Sequence, residues 1–118
     1  MPVKENLILQ KSYQLGLAVI PLCRELQMKQ HEYVLSRQLM KSGTSVGSNV
    51  EEAQGGQSRA DFLSKMSIAA KEGRETHYWL CLIRDAKLRT AGQITPALDL
   101  AGEVCRILTS IVKSTSES

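Results

Sequence analysis

Apolar residues return every three or four positions through most of the chain, in four blocks separated by short polar or glycine-bearing breaks. In the first block Ile8, Ser12, Leu15, Val19, Leu22 and Leu26 mark one face of a helix from about Lys4 to Lys29. Pro21 lies inside it and predicts a kink, because its ring removes a donor and crowds the preceding turn. The second block starts near Glu32 and carries Leu35, Leu39, Ser42, Val46, Asn49, Val50 and Ala53 on one side. Gly55-Gly56 should end it by adopting the left-handed conformation. In the third, Ser58 and Asp61 read as a capping box, followed by the heptad stripe Phe62, Met66, Ala69, Gly73, Thr76, Leu80, Ile83. Ala91-Gly92 reads as its stop, and Thr95 with Pro96 as the cap and first turn of a fourth helix.

The fourth helix carries two neighbouring stripes: Ile94, Leu98, Ala101, Cys105, Leu108, Val112, and Ala97, Leu100, Val104, Ile107, Ile111. Residues 114–118 are rich in Ser and read as a flexible tail. Connections are short, no strand pattern competes and nothing repeats. The fold class is therefore all-α, one domain over residues 1–113, an antiparallel up-down-up-down four-helix bundle.

Two features point beyond a monomer or need a steric reason. The two stripes of the fourth helix cover about half its circumference, more than a four-helix core requires, which places Val104, Ile107 and Ile111 at a subunit interface together with the kinked first helix. Ser42, Gly43, Ser45, Gly47 and Ser48 are expected to face Ala69 and Gly73, bringing the second and third helices close together. Glycine within a helix is unfavourable by about 0.5–1 kcal/mol relative to alanine, so close packing is the reason to place it there.

Composition narrows the function classes. A chain of 118 residues with 23% charged residues of both signs and only one Phe, one Trp and three Tyr has an aliphatic core and no disorder signature. The net charge of +3 permits a polyanionic partner without requiring one. Cys23, Cys81 and Cys105 are widely spaced among apolar residues, which reads as free thiols of a reducing, cytoplasmic compartment. There is no apolar signal core at the N-terminus and no apolar run of membrane-spanning length.

No catalytic constellation emerges. Glu72 and Glu75 lie one turn apart, with Glu51, Glu52 and His77 nearby, but no Glu-x-x-His occurs, so a di-iron site lacks its ligands and no metal or other cofactor is expected. The Ser/Thr cluster at 42–48 has no strand before it to form a nucleophile elbow, and phosphate-cradling glycine loops are missing. Glu72 at the edge of the apolar stripe, and Glu75 between Ile68, Trp79 and Leu82, are expected to pair with Arg37, Lys41 or Arg59.

Three stretches carry a resemblance: Gln38-Leu39-Met40-Lys41-Ser42-Gly43-Thr44-Ser45-Val46-Gly47-Ser48-Asn49-Val50-Glu51-Glu52-Ala53, then Ser58-Arg59-Ala60-Asp61-Phe62, then Glu72-Gly73-Arg74-Glu75-Thr76-His77-Tyr78-Trp79-Leu80. They resemble the small bacterial four-helix-bundle proteins encoded by intervening sequences of large-subunit ribosomal RNA genes. Lys41 stands where that family usually has Arg, keeping the charge but not the bidentate geometry. The resemblance implies a cyclic homopentamer, structural roles for Asn49, Glu52, Glu75 and Thr76, and an association with RNA. It also extends to the accessory protein of diversity-generating retroelements, whose partners are a reverse transcriptase and its template RNA. A purely structural protein is the remaining reading. If RNA binds, Arg37, Lys41, Arg59, Lys65, Lys71 and Arg74 are the expected contacts, as the densest positive charge near the motif.

Overall fold

In a computed structural model the chain forms four helices: α1 (Val3–Gln30), α2 (Val34–Gln54), α3 (Arg59–Asp85) and α4 (Ala91–Glu117). The backbone is described for residues 3–117 and side chains for residues 7–117. No strand occurs among the described residues, and the molecule is a rod of 46 × 21 × 18 Å. Each helix touches two others, with α1 and α3 on one diagonal and α2 and α4 on the other. Pairings such as Gln27 with Ser36, Glu52 with Lys65, and Lys11 with Glu103 fix the level of each helix against its neighbours.

The core follows the apolar stripes. Ile8, Leu15, Val19, Leu22 and Leu26 of α1 are buried, as are Leu39, Val46 and Val50 of α2 and Met66, Ala69, Leu80 and Ile83 of α3. From α4 the buried set draws on both stripes: Ile94, Ala97, Ala101, Val104, Leu108 and Ile111. Small residues sit differently from expectation. Gly43 abuts Val19 and Gly47 abuts Ser12, so both serve the α1–α2 contact, while Gly73 meets Cys105 of α4. Of the small-residue cluster, Ser42 is the member that bonds to α3.

Helix ends show what the local chemistry decides. Ser58 caps α3 as expected, its hydroxyl oxygen accepting from the Asp61 N–H at 3.0 Å. At α2 the Glu32 carboxylate does this work, accepting from the N–H groups of Leu35 and Ser36 at 2.7 and 3.0 Å. The break at Gly55-Gly56 is present, but no glycine has positive φ, so the left-handed explanation is corrected. Left-handed residues occur at His31 and Lys87 instead.

The α3–α4 boundary departs most from the sequence reading. Helix α3 stops at Asp85 in a Schellman turn: Leu88 N–H donates to Ile83 C=O and Lys87 N–H to Arg84 C=O, with Lys87 at φ 59. Ala91 and Gly92 then begin α4, capped by Thr90, whose N–H donates to Gln93 Oε1 while Gln93 N–H donates back to Thr90 Oγ1. This reciprocal box overrides the Thr95-Pro96 cap, because an upstream turn that satisfies its own donors extends the helix. Pro21 and Pro96 both lie within helices. Helix α4 also continues through Ser114 to Glu117, where a tail was expected; Ser118 lies outside the described residues.

Candidate functional site

The first and third motif stretches meet between α2 and α3. The Ser42 and Thr76 hydroxyls hydrogen-bond at 3.0 Å, and Thr76 also donates to the Glu72 carbonyl at 2.8 Å. Just outside them, Gln38, Lys41, Ser42, Glu72 and Glu75 line a crevice of about 50 Å³. That space suits a water molecule or two rather than a substrate. Partial burial raises the pKa of the Glu72 carboxyl, helped by the neighbouring Glu75 charge and opposed by Lys71 and Lys41. Among the described residues neither glutamate forms an ion pair, so the expected pairing with Arg37, Lys41 or Arg59 does not form. Lys41 acts on Glu72 only at a distance, and Arg59 donates to the Thr115 carbonyl of α4 at 2.8 Å.

The expected polar network is divided. Asn49 turns back on its own helix, donating to the Ser45 carbonyl at 2.8 Å, while Glu52 pairs with Lys65 at 3.3 Å. Only Ser42, Thr76, Glu72 and Glu75 come together. The six cations expected to touch RNA are likewise scattered. Lys65 leans toward α2 and Arg74 is close enough to Cys105 to influence its thiol, so they lie on different flanks of α3. Arg37, Lys41 and Lys71 are exposed.

The residues assigned to a subunit interface are mostly internal. Val104 is 0% and Ile111 4% exposed, and Ile107 packs half-buried on the core. The double stripe of α4 is thus largely taken up by the chain's own core, and Ile107 is the most accessible of the three. Helix α1 has the opposite character: between residues 7 and 23 its single charge is Lys11, which pairs with Glu103 at 3.2 Å. Tyr13 and Leu17 on its outer side are 69% and 54% exposed. They border a groove between α1 and α2 of about 790 Å³, walled by Leu9, Tyr13 and Leu17 and floored by Ser12, Gly47 and Ser48. The signal was present in the sequence as an apolar run without an opposing charged face, a helix that suits burial on all sides.

Thiols and imidazoles form one contact, Cys81 Sγ to His77 Nδ1 at 3.7 Å, one helical turn apart. The surrounding N–H groups lie mid-helix in α3 and are bonded within it, so no donors are turned toward a developing oxyanion there. Cys23 is fully buried and its thiol is pushed up to about 11. No group of three His, Cys, Asp or Glu side chains among the described residues is placed to hold a metal, and no described helix is long and apolar enough to cross a membrane.

Architecture and crevice thus define an all-α four-helix protein whose paired motifs lock α2 to α3. A family model described as 23S rRNA-intervening sequence protein matches residues 4–110, and the chain belongs to that family. Its fold is similar to a crystal structure from Bacteroides thetaiotaomicron, described as a protein with unknown function from the S23 ribosomal protein family. The TM-score is 0.89 at 39% identity, covering 94% of this chain and 99% of that one. No curated protein matches the chain.

Proposed function

We propose that this protein is a non-enzymatic, cytoplasmic up-down-up-down bundle that assembles into a cyclic homo-oligomer and associates with RNA. The observation that carries the assembly is the uncovered apolar side of α1: Tyr13 and Leu17 stand exposed beside a groove floored by small residues. Glu51 is the one charged residue in the lining of this groove, and its apolar and small residues accept a ridge of apolar side chains, which a second copy supplies in its own α1. Five subunits is the number that the family resemblance implies. Ser12 beside Gly47 and Gln27 bonded to Ser36, then Ser42 bonded to Thr76 and Glu52 paired with Lys65, match rising numbers on one helix to falling numbers on the next and support the antiparallel course. The RNA reading rests on the family, named for an rRNA intervening sequence, together with the net charge of +3, which a ring multiplies.

Purification without nuclease, followed by light scattering and an absorbance ratio, tests both parts. The expected result is an oligomer whose mass falls in Leu17→Glu with helicity kept. A wild type that is monomeric at tens of micromolar overturns the ring, and a wild type that binds no RNA overturns the second half.

A further inference from the structure

The charge of the molecule is distributed unevenly along the rod. The Arg89–Glu25 ion pair and the Gln27–Ser36 hydrogen bond bring the end of α1, the start of α2, the end of α3 and the start of α4 to one pole. That pole holds Arg24, Lys29, Arg37, Arg84, Lys87 and Arg89 against Glu25, Glu32 and Asp85. All three carboxylates are already engaged. Asp85 holds Arg84 at 2.9 Å, Glu25 holds Arg89, and Glu32 accepts from the first N–H groups of α2. Arg24, Lys29, Arg37 and Lys87 are left exposed with no carboxylate in contact.

The other pole is different. There Glu51, Glu52, Asp61 and Glu117 outnumber Arg59, Lys65 and Lys113 among the described side chains. Helix dipoles do not alter this contrast, since each pole has two helix N-termini and two C-termini whose partial charges oppose. The poles are separated by much of the 46 Å length, while charges are screened over about 8 Å at physiological salt. A polyanion near one end therefore responds to that end alone. Between Arg84, Lys87, Arg89, Thr90 and Gln93 the basic pole also holds a crevice of about 490 Å³, open to a phosphate group.

We infer that this pole, where the α1–α2 and α3–α4 connections meet, is the surface that receives the phosphate backbone of RNA. The inference rests on the RNA reading above and adds the place. In a cyclic assembly whose rods stand along the ring axis every subunit points the same way, so the basic poles gather on one face of the ring and the acidic poles on the other. RNA then binds one face, through charge rather than base edges. Of the cations chosen from the motif, Arg37 alone belongs to this face.

The test compares two double charge reversals of equal net change, Lys29→Glu/Lys87→Glu at the basic pole and, as the flank variant, Lys41→Glu/Lys71→Glu midway along the rod. Each is titrated with a labelled RNA stem-loop across a salt series, after light scattering confirms the wild-type mass. The pole variant should bind at least about tenfold more weakly with a shallower salt slope, and the flank variant should lose less. A pole variant that binds like wild type overturns the location while leaving RNA binding standing. A wild type that binds no stem-loop overturns the RNA reading itself, and poly-glutamate binding as tightly as RNA at the pole overturns the choice of partner.

Discussion

Replacing Gly43 by alanine tests how closely α1 and α2 approach. A Cβ at this position would lie 2.6 Å from Val19 Cγ2, 3.1 Å from Cγ1 and 3.3 Å from Cβ, where carbon atoms normally rest at about 3.5–4.0 Å. Val19 is fully buried and β-branched, so it has one strongly preferred rotamer in a helix and little room to turn. Overpacking of this kind costs about 1–3 kcal/mol, whereas replacing a mid-helix glycine by alanine returns about 0.5–1 kcal/mol. The net expectation is a loss of about 1–2 kcal/mol, lowering Tm by roughly 4 °C for each kcal/mol in a domain of this size. Gly16→Ala is the internal control, because its nearest neighbour, the Gly43 carbonyl oxygen, is 3.9 Å away; it should gain stability. Circular-dichroism melts and urea titrations at one fixed protein concentration report both, since association shifts apparent stability. In the double variant Val19→Ala/Gly43→Ala the clash is gone, and a coupling of at least about 1 kcal/mol is expected. A Gly43→Ala protein as stable as wild type, with no coupling to Val19, would refute the close approach.

Ile111→Glu should unfold the chain, because it buries an uncompensated charge in the core, whereas Leu17→Glu should lower the mass and keep the helical spectrum. Because the folded-state pKa of Glu72 is raised, the native state binds more protons than the unfolded chain just above pH 4.5. Stability therefore falls as pH rises through that window, and Glu72→Gln should reduce the fall, by a small amount since the carboxyl is only partly buried. Cys23 should resist a thiol reagent at pH 8 until urea unfolds the protein; labelling in native buffer at the rate of Cys81 would contradict its burial.

Periodicity carried most of the fold, because a stripe such as Ile8, Ser12, Leu15, Val19, Leu22, Leu26 can be satisfied only on a buried helix face. Boundaries were less legible where two local signals compete. Thr95-Pro96 and Thr90-Gln93 both look like helix starts, and the choice depends on the Schellman turn at Lys87, which carries none of the usual glycine. Of the site, Ser42 and Thr76 were legible as inward positions of their stripes, but their hydrogen bond and the position of each charge around and along the rod were not. Lys65 and Lys71 are neighbours in sequence, yet Lys65 is held by Glu52 and Lys71 stands exposed near Glu72. The basic pole is built from residues 24 to 37 and 84 to 89, a grouping that exists only after folding.

Lys87 shows how local conformation and charge can be in conflict. At φ 59 it holds the left-handed position that ends α3, where a side chain costs about 1–2 kcal/mol that glycine does not. The residue that best closes the turn is therefore not the residue that best serves a charged surface. Lys87→Gly should make the protein harder to melt, and if the pole meets a polyanion it should weaken that encounter in the same step. Selection for thermostability alone would then erode binding at this turn, so a screen for stabilised variants has to measure both.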